Sequence, residues 1–215
     1  MAQRDPQYYI DPTLGPGADP EQFREQGRGI VDWAVAWAGE LPVGRALEVG
    51  CGVGRDTIHL ARHFEHVDAA DVSPTMIRLA REQGLPGNVA LHLVSGRDLQ
   101  PLSDDAYVFV FSHLVFQHIE STNDVAAYVR EIARTLVPGG VAVLHFDTRP
   151  ETVASRLVRR LPDPLLPRQQ RRGIHRTRRP AEAVRGYGAE AGLVLEAEVD
   201  PGSANHWLRW RRGIS

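Results

Sequence analysis

Apolar runs alternate with amphipathic segments along most of this chain, and this order constrains its fold more than any other feature. The runs LEVG, YVFVF and AVLHF do not alternate strictly between apolar and polar residues, which is typical of strands covered on both faces. The segments between them change to a helical period of about 3.6 residues and are about 10–15 residues long. The sequence therefore predicts an α/β domain in which helices cover both faces of a largely parallel sheet.

The predicted elements can be placed from these changes of period and from helix-cap residues. A cap residue followed by proline, as at Ser73-Pro74, is typical of a helix start. Strands are predicted at Ala46–Val49, Val67–Ala70, Val89–Val94, Tyr107–Ser112, Val141–Phe146, Leu193–Val199 and His206–Arg211. Helices are predicted from Asp19-Pro20 to near Gly39, at Arg55–His63, from Ser73-Pro74, along the stripe Val125, Val129, Ile132 and Leu136 as far as Pro138-Gly139-Gly140, and at Pro180–Ala191. The last two strands should form an antiparallel hairpin at the sheet edge, because only a short turn separates them.

A glycine-rich segment, EVGCGVG from Glu48 to Gly54, follows the first strand. Its spacing differs from the G-x-G-x-x-G of dinucleotide-binding folds, and the chain has no lysine that could complete a phosphate-binding loop. The next strand ends on an acid, Asp71. Neither nucleotide-binding pattern fits. The pattern that is present is E-x-G-x-G-x-G followed by an acid at the end of the next strand, and this pattern must indicate the ligand.

With this pattern the chain resembles the class I S-adenosylmethionine-dependent methyltransferases. The resemblance extends over ADVSPTMIRLA (70–80), SGRDL (95–99), FSHLVFQHI (111–119), EIARTLVPGGVAVLHF (131–146) and the terminal hairpin. It implies a Rossmann-like class I methyltransferase fold, whose seven-stranded sheet has the order 3-2-1-4-5-7-6 with strand 7 antiparallel. It also implies S-adenosyl-L-methionine as the cofactor and S-adenosyl-L-homocysteine as its product.

The resemblance also implies which residues bind this cofactor, a molecule that carries an ammonium, a carboxylate and a sulfonium but no phosphate. Gly50 and Gly52 would let the backbone approach its methionine part and ribose. Asp71 would accept both ribose hydroxyls, and Val72 would lie on the adenine face. The other implied positions are Glu48, which anchors the loop near the amino group, Cys51 within the loop, Asp98 and Leu99 at the adenine edge, and Ser112 at the methionine end. All lie near the carboxyl ends of the predicted strands, where open α/β sheets bind ligands.

Three histidines are candidate general bases, and a base is needed only if the methyl acceptor keeps its proton at neutral pH. His113 and His118 follow strand four, and His145 ends strand five. Each has an alternative role: His118 as an architectural residue of the turn, His113 as pocket lining and His145 as a core histidine. Three further histidines, His59, His63 and His66, lie on or after the helix that follows strand one and are expected at the surface. No metal is indicated, because no His, Cys and carboxylate set has ligand spacing.

Arginine is the only basic residue type besides histidine, and it is concentrated in one part of the chain. Lys and Arg together number 25, and the segment from Arg156 to Arg185 is especially rich in them. Residues 149–179, rich in arginine and proline, are predicted to form a mobile lid over the site. Its charge suits an anionic small molecule or an RNA backbone, and a solvated loop is the alternative. RNA is disfavoured because the segment lacks interleaved aromatic residues and the domain as a whole is not basic.

A single domain is predicted over residues 1–215, with a helical cap (1–40), a cofactor-binding core (41–148), the lid (149–179), and a terminal helix and hairpin (180–215). Cys51 is the only cysteine, and neither a leader nor a membrane span is apparent, so a cytoplasmic location is expected. The predicted function is methyl transfer to a small-molecule, anionic acceptor by in-line displacement. A silent cofactor-binding partner subunit and an RNA methyltransferase are the alternatives. The sequence leaves the acceptor, the methylated atom and the oligomeric state open.

Overall fold

The structure, a computed structural model, describes residues 20–151 and 176–214, with side chains of the first helix from Glu25 onward. Residues 1–19, 152–175 and Ser215 lie outside this description. Two features of the sequence therefore remain predictions. These are the helix cap at Asp19 and the lid, since most of the arginine-rich segment 149–179 falls outside the described residues.

The described residues form a seven-stranded sheet with the order β3-β2-β1-β4-β5-β7-β6. Strand β7 runs antiparallel to both β5 and β6, whereas the other pairs are parallel. The predicted order, the antiparallel last strand and the terminal hairpin are thus confirmed. The strands are β1 (Arg45–Val49), β2 (His66–Asp71), β3 (Val89–Leu93), β4 (Tyr107–Ser112), β5 (Leu136–Phe146), β6 (Leu193–Val199) and β7 (His206–Arg212).

Helices cover both faces of this sheet. They are α1 (Pro20–Ala38), α2 (Thr57–Leu60), α3 (Pro74–Glu82), α4 (Thr122–Thr135) and α5 (Ala181–Glu190), with a 3-10 helix at Phe116–His118. The hydroxyl of Ser73 caps α3 by accepting a hydrogen bond from the Met76 amide, and Pro74 follows as the first helical residue. None of the helices in the described ranges has the length and hydropathy that a bilayer crossing requires.

Strand β4 shows why the apolar runs do not alternate. All six of its residues are buried, and successive side chains point to opposite faces of the sheet. Val110 belongs to the core formed with α4 and α5, whereas Phe109 and Phe111 belong to the core formed with α1 and α2. Because each face of the sheet is packed against helices, both sets of side chains must be apolar.

The boundary between α4 and β5 differs from the prediction. The helix ends at Thr135 and not at Pro138-Gly139-Gly140, and Leu136 begins β5 by pairing with Tyr107. Arg212 of β7 donates hydrogen bonds to the carbonyl oxygens of Arg134 and Leu136. The Arg134 carbonyl oxygen near the end of the helix thus has a partner from a distant strand, which no local pattern reveals.

The helix predicted at Arg55–His63 is also shorter than expected. Only Thr57–Leu60 is α-helical, and the chain around it forms turns with bonds between residues three apart, such as His59 to Asp56. His59 was expected at the surface but is buried, with 3% of its area exposed. This tight region brings Arg55 and Asp56 under α1. At Gly27 of α1 an added Cβ would lie 2.8 Å from both the Arg55 carbonyl oxygen and Asp56 Oδ1, so α1 can approach this closely only because glycine stands there.

Candidate active site

A cleft of about 570 Å³ lies at the carboxyl ends of β1, β2 and β4. Open α/β sheets bind their ligands at this edge. Its walls are the glycine-rich loop after β1, the end of β2, the segment after β3 and the segment after β4. The volume is within the range of about 300–1,000 Å³ that is usual for small-molecule sites.

The glycine-rich loop lines one side of the cleft with backbone atoms. Gly50 has a φ of +80°, and a Cβ built there would lie 2.2 Å from Cγ2 of Val115, so this position requires glycine. The Gly50 amide donates a hydrogen bond to the Ala70 carbonyl oxygen over 2.7 Å, which joins the loop to β2. The loop therefore presents its backbone to a ligand in a defined position.

Asp71 lies at the end of β2, beside this loop. One carboxylate oxygen accepts the Gly52 amide at 2.9 Å, and the other accepts the Ser73 amide at 2.8 Å. Burial raises the pKa of the Asp71 carboxyl, although these amide bonds act in the opposite direction. Each carboxylate oxygen has a second acceptor position. The Asp71 carboxylate can therefore receive two further donors from a ligand.

Val72, directly after Asp71, supplies an apolar wall. Its side chain lines the cleft and the residue is 53% exposed, which is high for a valine beside a buried strand. A flat apolar ligand lying on it would remove this surface from water. The backbone of the glycine-rich loop, a carboxylate with unused acceptor positions and an apolar wall thus meet in one cleft, and this set fits a ribose with a base attached to it.

The structure brings together only some of the predicted cofactor residues. Gly50, Gly52, Asp71 and Val72 line the cleft. The others lie outside its lining: Glu48 accepts the Thr57 hydroxyl at 2.5 Å, Cys51 is buried in a small core, Asp98 accepts the Gln100 amide at 3.2 Å, Leu99 is in the main core and Ser112 donates to the Val49 carbonyl oxygen at 2.9 Å. Burial, together with the nearby Asp56 charge, raises the pKa of Glu48. Glu48 and Ser112 thus form hydrogen bonds within the protein, next to the cleft and outside its lining.

Sequence reasoning missed several lining residues. Ser95 and Gly96 follow β3, and Tyr128 comes from α4. Gly96 has a φ of +89°, and a Cβ there would contact the side chain of Val72 at 3.5 Å. The segment SGRDL predicts contacts from Asp98 and Leu99, whereas in the structure its first two residues, Ser95 and Gly96, line the cleft. Tyr128 could have been found as a polar-tipped residue on the buried stripe of α4.

The three candidate histidines differ in their surroundings. His118 is exposed on the 3-10 helix and lines the cleft, with Gln117 Nε2 at 3.4 Å from its Nε2. His145 is buried, and burial lowers its pKa to about 3, helped by the nearby His113 ring. His113 also lines the cleft, and its ring lies 5.3 Å from that of His145 in an edge-on arrangement. His113 is bound directly to a carboxylate.

That carboxylate belongs to Asp56, which sequence reasoning did not single out. Its Oδ2 lies 2.9 Å from His113 Nδ1, and its Oδ1 accepts a hydrogen bond from Arg55 Nε at 2.7 Å. Asp56 is buried with 4% of its area exposed. Burial by itself would raise the pKa of this carboxyl, but the Arg55 and His113 interactions outweigh it and hold that pKa below its usual range. The Arg55–Asp56–His113 cluster is thus a buried charged group at the edge of the cleft.

A second cavity of about 440 Å³ adjoins the cleft, and His113 and Leu114 line both. Leu114 has a φ of +60°, an uncommon conformation for a leucine, and such strain occurs often at functional sites. Arg176 also lines this cavity and makes no ion pair with any residue that the structure describes. The lining consists of Gln26, Gly29, Ile30, Arg55, His113, Leu114, Arg176 and Asn205.

The arginines at the two ends of the predicted lid are held in different ways. Arg149 pairs with Asp147 at 2.5 Å, Arg178 donates to the Pro150 carbonyl oxygen, and Arg179 donates to the Phe116 carbonyl oxygen at 3.0 Å. The Thr177 amide also donates to the Gln117 carbonyl oxygen at 2.6 Å. The segment after residue 175 is therefore anchored to the loop after β4, and this anchoring places Arg176 at the second cavity.

The amino-acid sequence is similar to those of known methyltransferases. The model of a family described as "Methyltransferase domain" matches residues 47–144. The ubiquinone biosynthesis O-methyltransferase of Xylella fastidiosa (strain 9a5c) is 32% identical over 160 residues, which cover 71% of this chain and 61% of that protein. The ajmaline N-methyltransferase of Rauvolfia serpentina is 26% identical over 113 residues, which cover 48% of this chain and 38% of that protein. The chain thus spans about 61% of the length of the Xylella relative.

Solved structures show the same fold. An S-adenosylmethionine-dependent methyltransferase from Methanosarcina mazei has a TM-score of 0.68 at 14% identity, covering 84% of this chain and 98% of that one. A structure described as a putative methyltransferase from Bacillus halodurans has a TM-score of 0.65 at 16% identity, covering 86% and 99%. The sheet order and the cleft define a Rossmann-like ligand-binding domain of the methyltransferase type. The chain thus has the fold of the class I S-adenosylmethionine-dependent methyltransferases, and residues 47–144 match the methyltransferase family model.

Proposed function

We propose that this protein binds S-adenosylmethionine in the cleft and transfers its methyl group to a small-molecule, anionic acceptor by in-line displacement. The observation that carries the proposal is the meeting of the Gly50–Gly52 backbone, the Asp71 carboxylate and the exposed Val72 at the carboxyl edge of the sheet. The relatives are named for O-methylation in one case and N-methylation in another, so their names do not decide which atom is methylated here.

The residues of the cleft would hold the cofactor in defined roles. Asp71 would accept the two ribose hydroxyls, the loop at Gly50 and Gly52 would contact the methionine part, and Val72 would cover the adenine. When bound, the cofactor supplies a methyl group on a positively charged sulfur, and the acceptor's electron pair forms the new bond while the old carbon–sulfur pair stays on sulfur. The protein must then align the acceptor at about 3 Å from the methyl carbon and exclude water.

Charge in the second cavity supports an anionic acceptor. Arg55 is paired with Asp56 there, so its charge is compensated. Arg176 has no carboxylate partner among the described residues and lines the same cavity. Guanidinium groups bind carboxylates and phosphates through paired, charge-assisted hydrogen bonds. An acceptor with one anionic group would therefore complete the charge balance of this cavity.

Titration calorimetry with S-adenosylhomocysteine tests the cofactor site, and the chain offers a matched pair of variants. Asp71→Ala should weaken binding by tenfold or more, because each lost charge-assisted hydrogen bond contributes about 1.5–3 kcal/mol. Asp98→Ala should have a smaller effect, because Asp98 lies outside the cleft lining. Equal affinities for the wild type and Asp71→Ala would remove Asp71 from the site.

Thermal unfolding of each variant without ligand is the control for correct folding, since Asp71 also accepts two backbone amides. Two outcomes for the wild type then separate the alternative functions. Absence of binding by the wild type would contradict the proposed cofactor. Tight binding without methyl transfer to any small molecule would instead favour the silent partner subunit.

A further inference from the structure

We propose that the second cavity binds the acceptor through a hydroxyl that still carries its proton, and that His113, positioned by Asp56, removes this proton. The inference rests on the proposed function and narrows its acceptor to an alcohol or phenol with an anionic group. His113 would be the catalytic residue, and Asp56 would be a positioning residue that acts through it.

His113 has the location that such a base needs. It follows β4 directly and lines both the cofactor cleft and the second cavity. His113 therefore borders both the space proposed for the cofactor and the space proposed for the acceptor. The His113 side chain is 11% exposed, and Trp207 of β7 packs at 5.1 Å between ring centres. The ring is thus confined while one edge remains accessible.

The Nδ1 atom of His113 has two neighbours that demand opposite protonation states. Asp56 Oδ2 and Arg55 Nη2 each lie 2.9 Å from it. If Nδ1 had no proton, it could accept from Arg55, but its lone pair would then face a buried carboxylate at hydrogen-bond distance. If Nδ1 carries the proton, it donates to Asp56, while Arg55 keeps two bonds of its own to that carboxylate. The second arrangement satisfies the carboxylate and leaves no lone pair opposed to it.

The protonated Nδ1 leaves Nε2 as the basic atom. The described residues supply no hydrogen bond to Nε2, in contrast to the two contacts at Nδ1. In the proposed step the acceptor O–H bond breaks, its electron pair stays on oxygen, and an N–H bond forms at Nε2. The imidazolium produced in this way is stabilised by the Asp56 carboxylate, as a buried carboxylate does for a histidine in other proton-transfer sites.

The other charged and titratable groups around His113 do not compete for this proton. His145 of β5 faces the ring, but burial lowers its pKa to about 3, so it stays neutral. Arg55 is bound to Asp56, and Arg176 lies on the second cavity, where it attracts the anionic group of the acceptor. Asp56 therefore remains the carboxylate bound to the imidazole.

Nuclear magnetic resonance of ¹⁵N-labelled histidine tests the positioning without any acceptor. We expect the His113 shifts of the wild-type complex with S-adenosylhomocysteine to show a proton on Nδ1 and none on Nε2. A spectrum with Nδ1 unprotonated would mean that His113 accepts from Arg55, and the inference would fail. In that case intact binding of S-adenosylhomocysteine would still leave the proposed function standing.

Binding and turnover of small probes test the acceptor class. A panel of hydroxybenzoates and matched aminobenzoates combines a carboxylate with a hydroxyl or an amine. Hydroxybenzoates should shift the His113 resonances of the S-adenosylhomocysteine complex, and Arg176→Gln should weaken this binding about tenfold. If no member of the panel alters these resonances, the second cavity is not an acceptor site of this class.

The kinetic arm uses His113→Gln, which keeps a polar side chain of similar size. For hydroxybenzoates that are methylated, kcat should fall by about 10²–10⁴ and the acidic limb of its pH profile should disappear, whereas the affinity for S-adenosylhomocysteine should change far less. His92→Gln is the control, because His92 is also bound to a carboxylate but lies outside both cavities. Unchanged kcat and pH profile in His113→Gln would overturn the assignment, and equal losses in both variants would indicate a structural effect only.

Discussion

Asp56 and Asp68 are buried carboxylates with the same kinds of partner, yet they lie in different parts of the sheet. Asp56 binds Arg55 and His113 at the carboxyl edge, beside both cavities. Asp68 of β2 binds Arg45 at 2.6 Å and His92 at 2.6 Å, and it also accepts from Tyr107 at 3.0 Å. Arg45 and Tyr107 begin β1 and β4, so this second cluster lies toward the amino ends of the strands.

The two clusters also differ in their exposure to water. The Arg55 side chain is 4% exposed, whereas the Arg45 side chain is 51% exposed and lies over the Tyr107 ring. Water therefore screens the attraction between Arg45 and Asp68. The Arg55–Asp56 pair is shielded from water, so its charges are stabilised by their protein partners. The same residue types thus form a structural link at one end of the sheet, whereas at the other end they lie beside the two cavities, where we infer a role in proton transfer.

The largest effect should come from breaking the Arg55–Asp56 pair. Asp56→Asn removes the carboxylate that is bound to the buried Arg55 side chain, and removing one partner of such a pair costs about 3–5 kcal/mol of unfolding free energy. Urea unfolding at neutral pH measures this loss. Asp104→Asn is the control, because Asp104 pairs with Arg134 through a side chain that is 69% exposed. Equal and small losses in both variants would show that Arg55 is not held by Asp56.

Asp68→Asn should cost less, about 1–3 kcal/mol, because Arg45 can turn to water when its partner is removed. The loss should also depend on pH. Burial alone would raise the pKa of Asp68, but His92, Arg45 and Tyr107 outweigh it and hold that pKa below its ordinary 3.8. A lowered folded pKa gives stability that is present above the unfolded value and lost as pH falls through the folded one.

Unfolding followed from pH 7 to strongly acidic solution checks this sign. The wild type should lose stability below about pH 4, and Asp68→Asn should lose less over the same interval. A variant that follows the wild-type curve in parallel would show that Asp68 contributes no pH dependence.

Glu48 should show the opposite pH dependence, because it lies beside Asp56 but has no cation bound to it in the described ranges. Burial and the Asp56 charge raise its pKa to about 8, so the stability from its protonated form is present at low pH and lost as pH rises through that value. Between pH 7 and pH 9 this loss should be roughly 1 kcal/mol. Glu48→Gln can keep the bond from Thr57 and should flatten this part of the curve. An unchanged slope in the variant would place the titration elsewhere.

The smallest effect should come from Arg45→Gln. An ion pair with one half-exposed partner contributes about 0–1 kcal/mol, and Asp68 keeps its bonds from His92 and Tyr107. Thermal unfolding at low and high salt measures this contribution, which should shrink as salt increases. A loss as large as that of Asp56→Asn would mean that the two clusters do not differ in the way proposed.

The sequence by itself was sufficient to predict the strands and two residues of the cleft, Gly50 and Asp71. Strand runs such as YVFVF must be apolar on both faces of the sheet, so a few neighbouring residues are enough to predict a strand. The positions of Gly50 and Asp71 also follow from local rules, because a tight backbone turn needs glycine and the carboxyl end of β2 adjoins the loop after β1. The order of all seven strands was available because the motifs resembled a known family.

Only the tertiary structure decided which polar residues face a cavity and which are buried behind it. Asp56 and His113 are 57 residues apart in the chain, and α1 covers Asp56 by approaching closely at Gly27. In the same way Arg212 of β7 binds the Arg134 carbonyl oxygen near the end of α4, and the Thr57 hydroxyl binds Glu48 outside the cleft lining. Each of these contacts joins residues from different elements, and its strength depends on burial and on the exact direction of a side chain. Local periodicity carries information about the faces of one element, whereas such pairings exist only once the elements have packed together.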